Sequence, residues 1–132
     1  HVIPALIKKF ENPVFNISNG VLTGGSAVRL WGTGSASRDF LYVGDCVRAI
    51  ATALEKDVGP EPINLGTGRE VTIKELAETI RRVGNYGSMI YWDSSKPDGQ
   101  PRRSLDTTRA KEVLRWEAST PFEEALKKTI EW

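Results

Sequence analysis

Helical and extended patterns follow one another along this chain in mixed order, and that order limits the fold more than any other feature. Val2, Ile3, Leu6, Ile7 and Phe10 recur on one helical face, with Pro4 suited to a first turn and Asn12-Pro13 as a stop. Residues 13–26, with Gly20, Gly24 and Gly25, read as irregular. Residues 27–31 alternate as a strand, Gly32-Thr33-Gly34-Ser35 has turn chemistry, and residues 38–43 read as a second strand. Asp45 is placed to cap a helix whose apolar face is Val47, Ile50, Ala51 and Leu54.

The second half repeats the mixture. Residues 62–65 read as a short strand closed by Gly66-Thr67-Gly68. Thr72 and Glu75 form a capping box in front of Ile73, Leu76, Ala77, Ile80 and Val83, and Gly84 is suited to end that helix. A strand over 88–92, a loop over 93–101 and a short helix over 107–114 follow. Thr120, Pro121 and Glu123 form a second capping box before Phe122, Ala125, Leu126 and Ile130. The result is about five helices and four short strands without regular strand–helix alternation, which argues against a complete doubly wound sheet and for a small mixed α+β unit.

Its 132 residues suit one domain, able to remove roughly two-thirds of its unfolded surface from water. A net charge of +1 provides no electrostatic case for duplex nucleic acid or an anionic membrane. Cys46 is the only cysteine, so no internal disulfide can form and a reducing, cytoplasmic location is expected. His1 is the only histidine, which excludes a His/Cys metal cluster. No apolar run approaches the roughly 20 residues of a membrane span, and no signal peptide is read at the start. The only methionine is Met89, and the chain opens directly on an apolar helical pattern; it is expected to be part of something longer.

Several residues carry possible chemistry. Gly32-x-Gly34 and Gly66-x-Gly68 each lack the third glycine of a dinucleotide fingerprint, and no Gly-Lys-Thr/Ser phosphate loop is present. Arg102 and Arg103 in the 93–103 stretch have the fork geometry for phosphate, and Asp98 the acceptors for hydroxyls or a base edge; composition alone favours a solvated connection. Trp31 and Arg38 flank a glycine-rich turn. They read as a flat face for a base and a cation for phosphate, or as a hairpin with Trp31 in the core, the second being favoured by composition. His1 and Lys9 read as a proton-transfer group and an anion contact, or as a frayed end and an exposed lysine. Cys46 lies near a helix start, where a thiol can be activated, but reads as buried and inert. Trp92, Trp116 and Trp132 read as packing anchors.

In combination these stretches resemble a known family. His1-Val2-Ile3-Pro4, Leu30-Trp31-Gly32-Thr33-Gly34, Arg38-Asp39-Phe40-Leu41-Tyr42-Val43 and Asn64-Leu65-Gly66-Thr67-Gly68 are similar to the C-terminal half of extended short-chain dehydrogenases, the NAD(P)-dependent nucleotide-sugar epimerases and dehydratases. Lys96-Pro97-Asp98-Gly99, followed by Arg102-Arg103, narrows the resemblance to the GDP-L-fucose synthase branch. It covers nearly the whole chain apart from residues 12–26, where the family has a shorter, charged connection.

The resemblance implies an α/β family fold. This chain would be the small mixed α+β substrate domain, residues 1–132, without the N-terminal Rossmann domain. It implies that the parent epimerises GDP-4-keto-6-deoxy-mannose at C3 and C5 and reduces the 4-ketone with NADPH. By resemblance, His1 is the epimerisation acid and also lies near the cofactor, and Lys9, Trp31, Arg38 and Asp98 contact substrate. A UDP- or dTDP-sugar epimerase or dehydratase, or a non-catalytic nucleotide-sugar-binding module, are the alternatives.

The glycine-rich cofactor loop and the Tyr-x-x-x-Lys pair of that family are absent: Tyr42, Tyr86 and Tyr91 are followed four residues on by Cys46, Ile90 and Ser95. The chain alone is therefore expected neither to bind NADP(H) nor to reduce substrate. No metal is expected. The parent is expected to be a homodimer, and an apolar face left uncovered is expected to make this chain self-associate.

Overall fold

The computed structural model describes residues 1–18 and 21–132. In chain order these form α1 (Val2–Glu11), β1 (Val14–Ser18), β2 (Val21–Trp31), β3 (Ser37–Asp39), α2 (Val43–Leu54), β4 (Glu70–Thr72) and α3 (Ile73–Val83). They continue with β5 (Met89–Asp93), β6 (Arg102–Arg103), one π-helical turn (Ala110–Leu114) and α4 (Phe122–Glu131). The architecture is the expected mixture of helices and short strands. No helix of the described residues is long and apolar enough to cross a membrane.

The core is built around α3. Its start is set locally, because the Glu75 amide donates to Thr72 Oγ1 at 3.0 Å. The helical period then stacks Leu76, Ala77 and Ile80, all fully buried, on one face. They meet Leu6 and Phe10 of α1, Val28 and Leu30 of β2, and Leu126 of α4. Each large side chain buried there contributes roughly 1.5–3 kcal/mol of transfer free energy. The Glu75 carboxylate does not return to the cap; it pairs with Arg69 at 2.7 Å. Past Gly84, the left-handed residue is Asn85 (φ 53°), not the glycine.

Two three-stranded sheets frame this core. The first has the order β1-β2-β5, with β2 antiparallel to β1 and parallel to β5. The second has the order β4-β3-β6, with β3 antiparallel to β4 and parallel to β6. Strands β2 and β3 thus belong to different sheets and are not the two arms of a hairpin. The link between them carries the candidate site.

The structure corrects several expectations. The stretch 13–26 is not irregular: β1 pairs with an 11-residue β2, in a register that shifts between Phe15 and Ile17. Opposite that shift lies Thr23-Gly24-Gly25, which makes the pattern look like a loop while the backbone pairs as a bulged strand. Asn19 and Gly20 lie outside the described residues. The second strand ends at Asp39, and Val43 opens α2 instead. Residues 62–65 are not a strand, while Glu70–Thr72 and Arg102–Arg103 are. The second capping box does not form, since Thr120 Oγ1 bonds Asp45, Glu123 pairs with Arg82, and α4 starts without a side-chain cap.

Helix α2 reverses its expected orientation. Its apolar stripe, Val43, Val47, Ile50 and Leu54, is 51–84% exposed, while Asp45 and Ala49 are fully buried. Small Ala49 lets α2 approach Ala110 and Leu114 of the π-helical turn. Asp45 is not a cap but an internal acceptor. Periodicity identifies which face is apolar, but the covering partner is set by tertiary packing. Trp132 is likewise fully exposed rather than a packing anchor, whereas Trp116 is buried and Trp92 packs at the edge of the main core.

Candidate functional site

Two turns of identical sequence are built in the same way. In Gly32-Thr33-Gly34, the Thr33 amide and hydroxyl each donate to the Asp98 carboxylate at 2.8 Å. In Gly66-Thr67-Gly68, the Thr67 amide donates to Asp39 at 3.0 Å and its hydroxyl at 2.5 Å, joined by the Gly68 amide at 3.0 Å. In each turn the threonine hydroxyl also accepts the amide two residues on, from Ser35 or Arg69.

The glycines are required by space. A Cβ on Gly32 would lie 2.2 Å from Asp98 Oδ1, and one on Gly66 would lie 2.6 Å from Asp39 Oδ2. Gly32 and Gly34 also have φ near +77° and +76°, a region that L side chains rarely adopt.

The first turn is bolted to the core from three sides. Gly32 N donates to Asp93 O at 3.0 Å, and α3's leading amides, Ile73 N and Lys74 N, donate to Ala36 O and Gly34 O at 2.9 Å each. The Trp92 ring fills the space above Gly34. This rigid turn carries Trp31 at its entrance and delivers the chain to Arg38 on β3.

Trp31, Arg38 and Asp98 line one cleft of about 270 Å³, with Val2, Ile73 and Pro97 among its apolar walls. That is just under the roughly 300–1,000 Å³ of typical ligand sites. Trp31 is 65% exposed, which removes the reading that places it in the core. Lys96 Nζ lies 6.0 Å from its centroid, at the outer limit of a cation–π contact. Arg38 donates to Ser37 O at 2.6 Å and, among the described residues, forms no ion pair, so its charge is available to an anion. The hydroxyl and amide of Thr33 hold the Asp98 carboxyl below its ordinary value. The cleft therefore offers a flat aromatic face and a cation to a ligand with a planar ring and an anionic group.

The other expected residues fall around this cleft. His1 is exposed at the start of α1, next to Val2 of the cleft wall, and its side chain makes no cap bond. Lys9 lies outside the cleft lining; its ammonium donates to Arg29 O at 2.9 Å, tying α1 to β2. Arg102 forms a fork on Glu70 and is not free for phosphate, while Arg103 pairs along β3. Cys46 is partly buried in α2. Among the described residues, no group of three His, Cys, Asp or Glu could hold a metal ion.

The model of the NAD dependent epimerase/dehydratase family matches residues 1–66. The chain belongs to this family. Among relatives within it, the chain is 41% identical to a probable GDP-L-fucose synthase 1 of Oryza sativa subsp. japonica, over all of this chain and 38% of that protein. It superimposes on a GDP-L-fucose synthetase from Naegleria fowleri bound to NADP with a TM-score of 0.81, at 28% identity, over 100% of this chain and 39% of that one. A UDP-glucose 4-epimerase from Thermotoga maritima, solved with UDP-glucose, matches with a TM-score of 0.78 at 31% identity, over 99% of this chain and 38% of that one. The chain thus spans under two-fifths of these relatives.

The family is NAD-dependent, but among the described residues neither Gly-Thr-Gly turn is open to a dinucleotide pyrophosphate. A pyrophosphate needs a glycine turn with open amides. The turn amides of Thr33, Thr67 and Gly68 already hold a carboxylate, and side chains fill the space beside Gly32, Gly34 and Gly66.

Reading the sequence alone missed Thr33 and Asp39, the partners that fix both turns. The signal was present as a Gly-Thr-Gly that occurs twice in one chain, with an aspartate for each.

Proposed function

We propose that this chain is the substrate-binding portion of a GDP-L-fucose-synthase-like epimerase/reductase and binds the nucleotide part of a GDP-sugar. The observation that carries the reading is the convergence of Trp31 and an unpaired Arg38 on one cleft. The indole face stacks on a base or sugar ring, and the guanidinium takes phosphate oxygens through its fork of N–H donors. The cleft is small because it forms one wall of the site. In the parent, His1 beside this wall donates a proton during epimerisation, while hydride transfer from NADP(H) relies on residues outside this chain. Lys9 acts on the site through β2, two residues before Trp31, by fixing the Arg29 carbonyl.

Titration of the 132-residue chain with GDP, followed by Trp fluorescence and calorimetry, tests the reading. Saturable binding that Trp31→Ala and Arg38→Ala each weaken supports it; binding unaffected by both substitutions sinks it. A UDP-sugar reading is favoured by the likeness to the UDP-glucose 4-epimerase. Competition between GDP and UDP separates the two.

A further inference from the structure

We propose that Asp93 is a positioning residue of the cleft: it pins the start of the β5–β6 loop to the strand that ends in Trp31, and so sets how far residues 97–99 stand from the indole. The inference rests on the nucleotide-sugar reading for the identity of the ligand, while the pin itself needs no ligand.

Asp93 closes β5 directly beside Trp31, the last residue of β2. It is only 5% exposed, and its oxygens divide between loop and strand. On the loop side, Oδ1 accepts the Ser95 hydroxyl at 2.6 Å and the Ser95 amide at 3.2 Å. On the strand side, Oδ2 accepts from Arg29 Nε at 3.0 Å and from Arg29 Nη2. The carbonyl oxygen is shared in the same way, between Lys96 N at 3.1 Å and Gly32 N at 3.0 Å. A turn of the Asx kind needs one side-chain oxygen, which asparagine or serine supplies. Burying a carboxylate is costly unless it is paired and hydrogen-bonded, and here the pairing reaches across 64 residues to β2. Arg29 is in turn fixed to α1, because its carbonyl accepts from Lys9 Nζ at 2.9 Å.

The far end of the loop is held separately. Ser37 N donates to Pro101 O at 2.9 Å, next to Arg38 on β3. The segment lining the cleft is thus strung between a pin beside Trp31 and a pin beside Arg38. The Pro101 pin is backbone, whereas the Asp93 pin has two side-chain arms that substitution can remove. Asp93→Ala removes both arms and keeps the carbonyl bonds. Ser95→Ala weakens the loop arm alone, and Arg29→Gln the strand arm alone. Asp45→Ala is the control: it removes a buried carboxylate of the same kind, bonded to Thr120, away from the cleft lining.

The experiment measures two quantities on the full chain and these four variants: the Trp31 resonance by fluorine NMR of fluorotryptophan-labelled protein, and GDP affinity by calorimetry. The chain has four tryptophans, and Trp31→Phe assigns the resonance. Asp93→Ala is expected to shift the Trp31 resonance and to weaken GDP binding about fivefold. Ser95→Ala and Arg29→Gln should shift the same resonance and weaken GDP about two- to threefold each. Asp45→Ala should weaken the fold but leave the Trp31 resonance and GDP affinity unchanged. The proposal is overturned if Asp93→Ala moves neither quantity, if it weakens GDP without moving Trp31, or if Asp45→Ala has the same effect on both. Should Asp93→Ala fail to fold, the single-arm variants decide, and a Trp31 resonance unmoved in both overturns the pin. Failure of the unaltered chain to bind GDP, with the Trp31 resonance still dependent on Asp93, would overturn the nucleotide-sugar reading and support the pin.

Discussion

The buried carboxylate of Asp45 accepts both the backbone amide and the hydroxyl of Thr120, at 3.0 and 2.9 Å, across 75 residues of chain. Arg48, one turn along α2, donates to the same carboxylate and to Ser119 Oγ. This cluster ties the start of α2 to the entry of α4, joining the second sheet's connection to the main core.

Asp45→Ala leaves the Thr120 amide and hydroxyl without their acceptor in a buried site. The expected cost is about 3 kcal/mol. Asp45→Asn should recover part of it, because one oxygen remains as an acceptor. Urea denaturation of the two variants checks this; equal midpoints for Asp45→Ala and the unaltered chain would contradict it.

Acid should weaken the fold in a defined window. Burial pushes the Asp45 carboxyl up, but Thr120 and Arg48 together hold it below its usual value. The Ser95 hydroxyl and Arg29 bring Asp93 down from 3.8 to about 2. A carboxyl with a depressed folded-state value contributes its stability above its unfolded value and loses it as pH falls through the folded one. The denaturation midpoint is therefore expected to be flat above about pH 5 and to drop between about pH 4 and 2. Asp93→Asn should lower the midpoint at pH 7 and make this drop shallower.

Gly34→Ala and Gly59→Ala separate backbone strain from lost space. Both glycines have φ near +70°, but a Cβ on Gly59 meets nothing within 4 Å, while one on Gly34 lies 2.5 Å from the Trp92 ring. Gly59→Ala should cost about 1–2 kcal/mol from the left-handed backbone alone. Gly34→Ala should cost about 3 kcal/mol or more, because overpacking adds to it. Thermal melts of both proteins test the order.

The exposed stripe of α2 should make the isolated chain associate with itself. Val43, Val47, Ile50 and Leu54 follow a 4-3-4 spacing, the pattern of a two-helix seam, and a second copy presents the same stripe. Sedimentation equilibrium should show association that rises with concentration, abolished in Val47→Glu/Ile50→Glu. A monomer at all concentrations would contradict the prediction.

How far the molecule could be read in advance depended on the range of the interaction. Helices α1 and α3 were legible because a 3.6-residue period and a Thr72 cap act within one or two turns. The resemblance to the family was legible because its motifs are contiguous. Trp31 was a matter of two open readings until the structure put β2 and β3 in separate sheets. Strand β6 was hidden because two arginines carry no periodicity, and they pair only because β3 is already in place. The Asp98–Thr33 clamp was hidden because a staple across 65 residues leaves no local pattern.

The sequence by itself determined the apolar faces, the helix boundaries set by local caps, the two glycine turns and the kinship with the epimerases. Only the tertiary structure decided which face each helix buries, which aspartate holds which turn, and that Trp31 and Arg38 share a cleft. Periodicity and capping are short-range energies written into neighbouring residues. Burial and long-range hydrogen bonds exist only after the chain has brought distant segments together, at a loop-closure cost that no local pattern encodes.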